Sequence, residues 1–145
     1  MSRECLKSVA SGAGKDSHLN CYHSGRILNG NPQVMGYGCF ESVMVACVAL
    51  GCDGFIGSNF NFMLPQYRKV MELYLNRQDD EARRLQAECN SILDVVLKNG
   101  LCASLKYIAG KQGIDAGNVR RPMLPLNEAQ KAEIDAALEA HLEIQ

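Results

Sequence analysis

Apolar residues recur at the spacing of an α-helix through most of the chain. An amphipathic helix ending at Gly51 is predicted by positions spaced i, i+3, i+4, i+7 and i+8, namely Phe40, Val43, Met44, Cys47 and Val48. The same period predicts helices over residues 19–28, 65–76, 78–98 and 101–112. A last helix, running to residue 142, is predicted to begin at a capping box formed by Asn127 and Gln130.

Short extended segments are predicted between these helices. Residues 51–61 begin with a helix-stopping glycine, pass through the apolar pair Phe55-Ile56 and end in Gly57-Ser58-Asn59 before the next helix. This order predicts a strand, a loop and a helix, which form one βα unit of a parallel α/β fold. The loop would lie at the carboxyl end of its strand, where such folds place their ligands.

Other segments complete the predicted pattern. Residues 33–36 predict a brief strand followed by a Gly36-Tyr37-Gly38 loop, whereas Lys15-Asp16-Ser17 is too short for propensity alone to define a strand. Residues 120–125 are predicted to be extended, because each proline disfavours helical geometry in the residue before it. The chain is therefore predicted to be α/β, with three βα units over residues 1–76 and helices alone over residues 77–145.

Composition narrows the function classes. The chain has 145 residues, of which 47% are hydrophobic and 21% charged, as in a soluble globular domain. A net charge of -1 does not indicate binding to nucleic acid or to an anionic membrane. No apolar run approaches the roughly 18 residues of a membrane span. Seven cysteines without a CxxC pair favour reduced thiols and a cytoplasmic location.

Two patterns that suggest chemistry are rejected on spacing. His18, Cys21 and His23 are close in sequence, but spacings of three and two residues do not bring all three to one helix face, and a fourth ligand is missing. The run Ser11-Gly12-Ala13-Gly14-Lys15 lacks the first glycine and the Ser or Thr of a phosphate-binding loop. Neither a metal site nor a phosphate-binding loop is therefore expected from these patterns.

Three further residues have ordinary explanations by residue type. Lys15 would be a solvated surface charge, and Ser58 would be a turn residue. Glu41 lies beside a predicted helix start, where it either favours the helix dipole or contacts a substrate.

A resemblance to a known family is carried by the order and spacing of four segments. These are Gly14-Lys15-Asp16-Ser17, Gly51-Cys52-Asp53-Gly54-Phe55-Ile56-Gly57-Ser58, Leu85-Gln86-Ala87-Glu88-Cys89-Asn90 and Arg121-Pro122-Met123-Leu124-Pro125-Leu126. The chain resembles the N-acetylneuraminate lyase and dihydrodipicolinate synthase family, with the sialate lyases the closer match. The resemblance implies Schiff-base aldolases built on a (β/α)₈ TIM barrel with a helical C-terminal extension. It covers nearly all of this chain but only about the C-terminal half of the family's length.

The resemblance implies that Lys15 is the catalytic lysine at the end of the sixth barrel strand, which condenses with the keto group of pyruvate. A lysine suits this role because a neutral amine attacks a carbonyl to form an imine. The protonated imine accepts electrons when the carbon–carbon bond breaks or forms, which is why no cofactor is implied. The substrate-binding positions implied by the same match are Ser17, Cys39, Glu41, Ser42, Gly57 and Ser58.

The chain also departs from the family's pattern. Cys39, Glu41 and Ser42 stand where sialate lyases carry Gly, Asp and Glu to hold the hydroxyl groups of the sugar acid. Ser42 removes a charge, which leaves the exact sugar acid open. The family's catalytic tyrosine and its Gly-Thr-Thr-Gly-Glu motif for the pyruvate carboxylate belong to earlier strands and have no counterpart here.

Three functions remain as expectations. The first is a class I aldolase that cleaves N-acetylneuraminate, or a related 2-keto-3-deoxy sugar acid, to pyruvate and an aldehyde. The second is condensation of pyruvate with an aldehyde, as in dihydrodipicolinate synthase. The third is an inactive half-barrel that acts as an oligomerisation module. Because a closed barrel takes about 250 residues, the expected partner besides the small-molecule substrate is a second copy of the chain or a complementing N-terminal half.

Overall fold

The structure, a computed structural model, describes residues 13–16, 21–31, 34–38 and 40–141. Within these ranges, strands and helices alternate in the first half and helices alone follow. In chain order the elements are β1 (Ala13–Asp16), α1 (Cys21–Gly30), β2 (Met35–Gly38), a 3₁₀ helix (Glu41–Val43), α2 (Met44–Ala49), β3 (Gly54–Phe55), α3 (Phe60–Leu75), α4 (Asp79–Lys98), α5 (Leu101–Lys111) and α6 (Glu128–His141). This order confirms the predicted α/β class, in which βα units precede a helical region.

The chain divides into two compact units. The first unit contains the residues up to Gly57 together with Lys69–Arg83. The second contains Ser58–Arg68 and the residues from Arg84 onward. Each unit has its own buried apolar residues, for example Val34 and Met44 in the first and Ile92 and Ile134 in the second.

A parallel sheet organises the first unit. The strands of its described part lie in the order β1, β2, β3, with Lys15 opposite Tyr37 and Gly38 opposite Phe55. Asp53 extends the pairing of β2 with β3: it accepts the Gly36 N–H on its carboxylate at 2.7 Å and donates its own N–H to the Gly36 carbonyl at 2.9 Å. Because the strands are parallel, their carboxyl ends share one edge of the sheet.

Strand β2 contains the residues that were predicted to form a loop. The prediction for Gly36-Tyr37-Gly38 is wrong, and the strand predicted over residues 33–36 lies at 35–38 instead. A methyl group on Gly36 would overlap with Leu28 of α1, and one on Gly38 would lie 2.7 Å from the Phe55 ring. The glycines therefore stand in the strand because neighbouring side chains pack against their backbone.

Helix α3 is interrupted near its start. Met63 has non-helical backbone angles (φ −122°, ψ 18°) and a fully buried side chain. Pro65 lies two residues later, in the first turn of the regular part, where a proline's missing N–H costs no helical hydrogen bond. The prediction that Pro65 opens a helix is confirmed, with one additional turn before it.

The apolar face predicted for α4 is buried in the second unit. Cys89, Ile92, Leu93 and Val96 are at most 8% exposed. Burial raises the pKa of the Cys89 thiol to about 11, which keeps it protonated as a small core residue. Ser104 of α5, also fully buried, donates its hydroxyl to the Val96 carbonyl at 3.2 Å and links α5 to α4.

The predicted capping box opens α6. The Gln130 N–H donates to the Asn127 side-chain oxygen at 2.9 Å, and the Asn127 N–H donates to the Gln130 side-chain oxygen at 2.9 Å. Ile134 and Leu138 of this helix are buried, as its spacing predicted. Among the described residues, no helix combines the length and apolar character that crossing a membrane requires.

The segment before α6 differs from its prediction. Residues 120–123 do not continue in an extended conformation but form a turn, in which the Met123 N–H donates to the Arg120 carbonyl at 3.1 Å. The Arg121–Pro122 peptide within this turn is cis.

Asp135 joins α5 to α6 through its carboxylate. Tyr107 donates its hydroxyl to Asp135 at 2.9 and 3.1 Å, and the Lys111 ammonium lies 2.7 Å from the same carboxylate. Burial on its own would raise the pKa of Asp135, but the hydrogen bonds from Lys111 and Tyr107 outweigh it and lower the pKa below its usual value of 3.8. The charged carboxylate is therefore the form that the folded unit prefers.

We expect Asp135→Asn to destabilise the chain by about 1 kcal/mol at neutral pH, because the contact is partly exposed and water screens it. Because the pKa of Asp135 is lower in the folded state than in the unfolded state, its charged carboxylate stabilises the fold at pH values above the unfolded-state pKa. This stabilisation is lost as the pH falls through the folded-state pKa. The difference between wild type and variant should thus shrink below about pH 3.8. Urea unfolding of both proteins at several pH values measures this difference in the free energy of unfolding. Asp94→Asn, on the exposed face of α4, is the control, and equal loss in both variants would contradict the assignment.

Candidate active site at the carboxyl edge of the sheet

Lys15, the predicted catalytic residue, belongs to the parallel strand β1. Its backbone is one residue from the end of β1, and its register partner on the neighbouring strand is Tyr37. Lys15 therefore stands near the edge at which the parallel strands end. Ser17, two residues later in the chain, lies outside the described residues.

The segment after β2 brings a carboxylate to the same edge. Glu41 is the first residue of the 3₁₀ helix and is only 6% exposed, whereas Ser42 beside it is half-buried. A charge that merely favours a helix N-terminus is normally solvated, so burial distinguishes Glu41 from that ordinary case. Cys39, the third predicted position here, lies outside the described residues.

Glu41 and Gly57 are in contact although sixteen positions separate them in the sequence. A methyl group placed on Gly57 would overlap with the Glu41 carboxylate, which shows that this carboxylate packs directly against the glycine backbone. Gly57 follows β3 in the predicted loop. The first unit thus joins two predicted site residues from the ends of two adjacent strands, and a larger residue at position 57 would force the Glu41 side chain to move.

Ser58 begins the second unit, directly after Gly57 in the chain. Its carbonyl accepts a hydrogen bond from the Asn61 side-chain amide at 2.7 Å, and its own side chain is half-buried. These contacts hold the turn that leads into α3. The predicted loop at residues 57–59 is confirmed.

Two residues of the sheet have positions that were not predicted. Tyr37, the neighbour of Lys15 in the sheet, was assigned to a loop because glycines flank it. Asp53, which links β3 to β2, was named only as part of a segment that carries the family resemblance. For Tyr37, glycine is the misleading signal, since here it serves close packing instead of a chain reversal.

No metal site is formed by the described residues, in which no three His, Cys, Asp or Glu side chains cluster. The pattern of His18, Cys21 and His23, which was rejected as a metal site on spacing, lies largely outside the described structure: His18 and the side chains of Cys21 and His23 are not among its described parts. Glu41 is the buried carboxylate at the edge of the sheet, and a single carboxylate of this kind suits contact with hydroxyl groups.

Comparison with known proteins identifies the family. A family model described as "Dihydrodipicolinate synthetase family" matches residues 14–141, which span the sheet, the candidate site and the helices. The chain belongs to the dihydrodipicolinate synthetase family. The resemblance noted in the sequence is confirmed.

Relatives within this family carry the name N-acetylneuraminate lyase. One from Fusobacterium nucleatum is 32% identical over 116 residues, which are 80% of this chain and 39% of the relative. One from Actinobacillus pleuropneumoniae is 34% identical over 115 residues, which are 79% of this chain and 39% of the relative. The crystal structure of N-acetylneuraminate lyase from Fusobacterium nucleatum matches with a TM-score of 0.89 and 26% identity, covering 99% of this chain and 50% of that one. The chain thus spans about 39% of the length of these curated relatives.

We expect Gly57→Ala to destabilise the first unit by about 1–3 kcal/mol, because the new methyl group overlaps with a buried side chain. Combining it with Glu41→Ala, which removes the overlapping atoms, should recover part of this loss. A double-mutant cycle from urea unfolding measures the coupling between the two positions.

Gly30→Ala is the matched control, since a methyl group on that glycine would meet no atom within 4 Å. It should leave stability nearly unchanged. Additive effects of Gly57→Ala and Glu41→Ala would contradict the contact.

Proposed function

We propose that this chain carries the Schiff-base lysine of a class I aldolase, with Lys15 as the nucleophile. The proposed reaction cleaves N-acetylneuraminate, or a related 2-keto-3-deoxy sugar acid, into pyruvate and an aldehyde. The observation that supports it most is the position of Lys15 near the carboxyl edge of a parallel sheet that also bears the Glu41–Gly57 contact. Membership of a family whose relatives are named lyases supports the reaction type.

The proposed reaction begins with the side-chain amine of Lys15. The neutral Lys15 amine attacks the keto carbon of the substrate, water leaves, and the resulting imine is protonated. A base removes a proton from the hydroxyl group two carbons away. The carbon–carbon bond then breaks, its electron pair moves towards the imine nitrogen, and the aldehyde departs. The enamine that remains is protonated on carbon, and water hydrolyses it to pyruvate and the free lysine.

The other site residues would bind the substrate. We assign Glu41 to accept hydrogen bonds from sugar-acid hydroxyl groups, with Ser42 as a neutral neighbour. We assign Ser17, Cys39 and Ser58 to substrate binding as well, and Gly57 would let the Glu41 carboxylate pack against its backbone. A carboxylate that is largely withdrawn from water binds a hydroxyl group more strongly than a solvated one does.

We further propose that residues 1–76 are three consecutive βα units of a (β/α)₈ barrel and that residues 77–145 are its helical extension. The parallel order β1-β2-β3 and the match of nearly the whole chain to half of a lyase structure support this. A barrel would also pair the outer edges of β1 and β3. The tyrosine and the pyruvate-carboxylate motif, which this chain lacks, would come from a complementing N-terminal half.

Borohydride reduction in the presence of pyruvate tests the nucleophile. Reduction of the imine should fix the three-carbon acid covalently on Lys15, and peptide mass spectrometry locates the adduct. Lys15→Ala should abolish trapping, whereas Lys69→Ala, an exposed lysine of α3 paired with Glu72, should trap as wild type does. Equal trapping by wild type and Lys15→Ala would overturn the assignment.

A second candidate is an inactive half-barrel that serves in oligomerisation, and it is kept because the chain spans about 39% of the length of its curated relatives. Trapping and light scattering separate the two. A defined oligomer that gives no adduct, even at high pyruvate, would support the second candidate over the first. A substrate panel with N-acetylneuraminate and aspartate semialdehyde would distinguish lyase activity from the synthase-type condensation.

A further inference from the structure

A cavity of about 240 Å³ lies within the second unit. None of the residues of the candidate active site lines it. Its walls come from α5, from the segment that follows α5, and from α6, through the residues Ala103, Lys106, Tyr107, Gly117, Asn118, Val119, Pro125, Leu126 and Lys131. The volume is below the range of about 300–1,000 Å³ typical of pockets for drug-sized ligands, so the cavity suits a small metabolite.

The charge of the lining is entirely positive. Lys106 and Lys131 contribute two ammonium groups, and no aspartate or glutamate belongs to the lining. The other walls include four apolar side chains, those of Ala103, Val119, Pro125 and Leu126. A ligand that complements this surface carries a negative group and a short apolar body.

Neither ammonium group is strongly neutralised. Lys106 donates to the backbone carbonyl of Ala116, an uncharged acceptor, and forms none of the ion pairs found among residues 13–16, 21–31, 34–38 and 40–141. Lys131 lies 2.7 Å from Glu128, but the Glu128 side chain is 89% exposed. Water and salt screen such a pair, which leaves most of the lysine's charge available to a ligand.

The acid that accepts a hydrogen bond from the cavity residue Tyr107 is already paired with a lysine outside the lining. Asp135 accepts the Tyr107 hydroxyl and lies 2.7 Å from Lys111, so its charge is offset outside the cavity. The Tyr107 ring itself forms part of the wall, and the Lys131 ammonium lies 6.0 Å from its centroid. This contact holds the Lys131 side chain beside the cavity instead of leaving it free in water.

We propose that this cavity binds a small carboxylate with a short apolar body. The Lys106 and Lys131 ammonium groups hold the carboxylate, and the apolar wall packs against the carbon chain. The site rests on contacts of the second unit and does not depend on the aldolase chemistry proposed above.

Titration of the ¹⁵N-labelled 145-residue chain with butyrate tests the proposal at constant ionic strength. Saturable amide shifts are expected at residues 117–119 and near Lys106 and Lys131. Butyramide, the uncharged isostere, should cause no saturable shift, and inorganic phosphate, which lacks the apolar body, should bind more weakly. No saturable shift with butyrate, or binding of butyramide as strong as that of butyrate, would overturn the proposal. Tighter binding of phosphate would overturn the carboxylate assignment.

Charge-removing variants locate the site. Lys131→Gln should weaken butyrate binding about tenfold, and it preserves the bond by which Lys106 holds the Ala116 segment. Lys106→Gln should weaken binding as well, although it also removes that bond. Lys98→Gln, which alters an exposed lysine that pairs with Glu133 and does not line the cavity, should bind butyrate as wild type does. Unchanged binding in Lys131→Gln would contradict the assignment, whatever the outcome of the Lys15 trapping experiment.

Discussion

The first unit depends on side chains that pack directly against glycine backbone. Leu28 covers Gly36, the Phe55 ring covers Gly38, and the Glu41 carboxylate covers Gly57. Glycine usually weakens a strand, because it has no side chain to pack and loses much conformational freedom on folding. Here that cost is offset by helix–strand and strand–strand contacts that a larger residue would prevent. Glycine at position 57 likewise leaves the space in which the buried Glu41 carboxylate packs, at the edge where the strands end.

The second unit is held by a different set of contacts. Buried apolar residues supply most of the driving force, while hydrogen bonds between helices fix which faces meet. Ser104 bonds to the Val96 carbonyl, and Asp135 joins Tyr107 and Lys111. These links connect α4, α5 and α6, and residues of α5, of α6 and of the segment between them line the open cavity that Lys106 and Lys131 border.

Prediction from the sequence succeeded where one local signal dominated. Helix α4 and the capping box of α6 follow from helical period and from paired polar residues at a helix start, and both form as expected. It failed where glycine and proline have more than one use. Residues 36–38 form a strand because Leu28 and Phe55 occupy the space that side chains would need, and residues 120–123 form a turn where two prolines suggested extended chain.

The sequence by itself determined the family and the α/β order of the elements, because both depend on the order and spacing of segments. Only the tertiary structure decided that Glu41 is buried against Gly57 and that Tyr37 is the sheet neighbour of Lys15. The cavity belongs to this second group, since its lining comes from residues up to 28 positions apart, Ala103 and Lys131. No local pattern encodes such contacts, because they exist only once strands pair and helices pack.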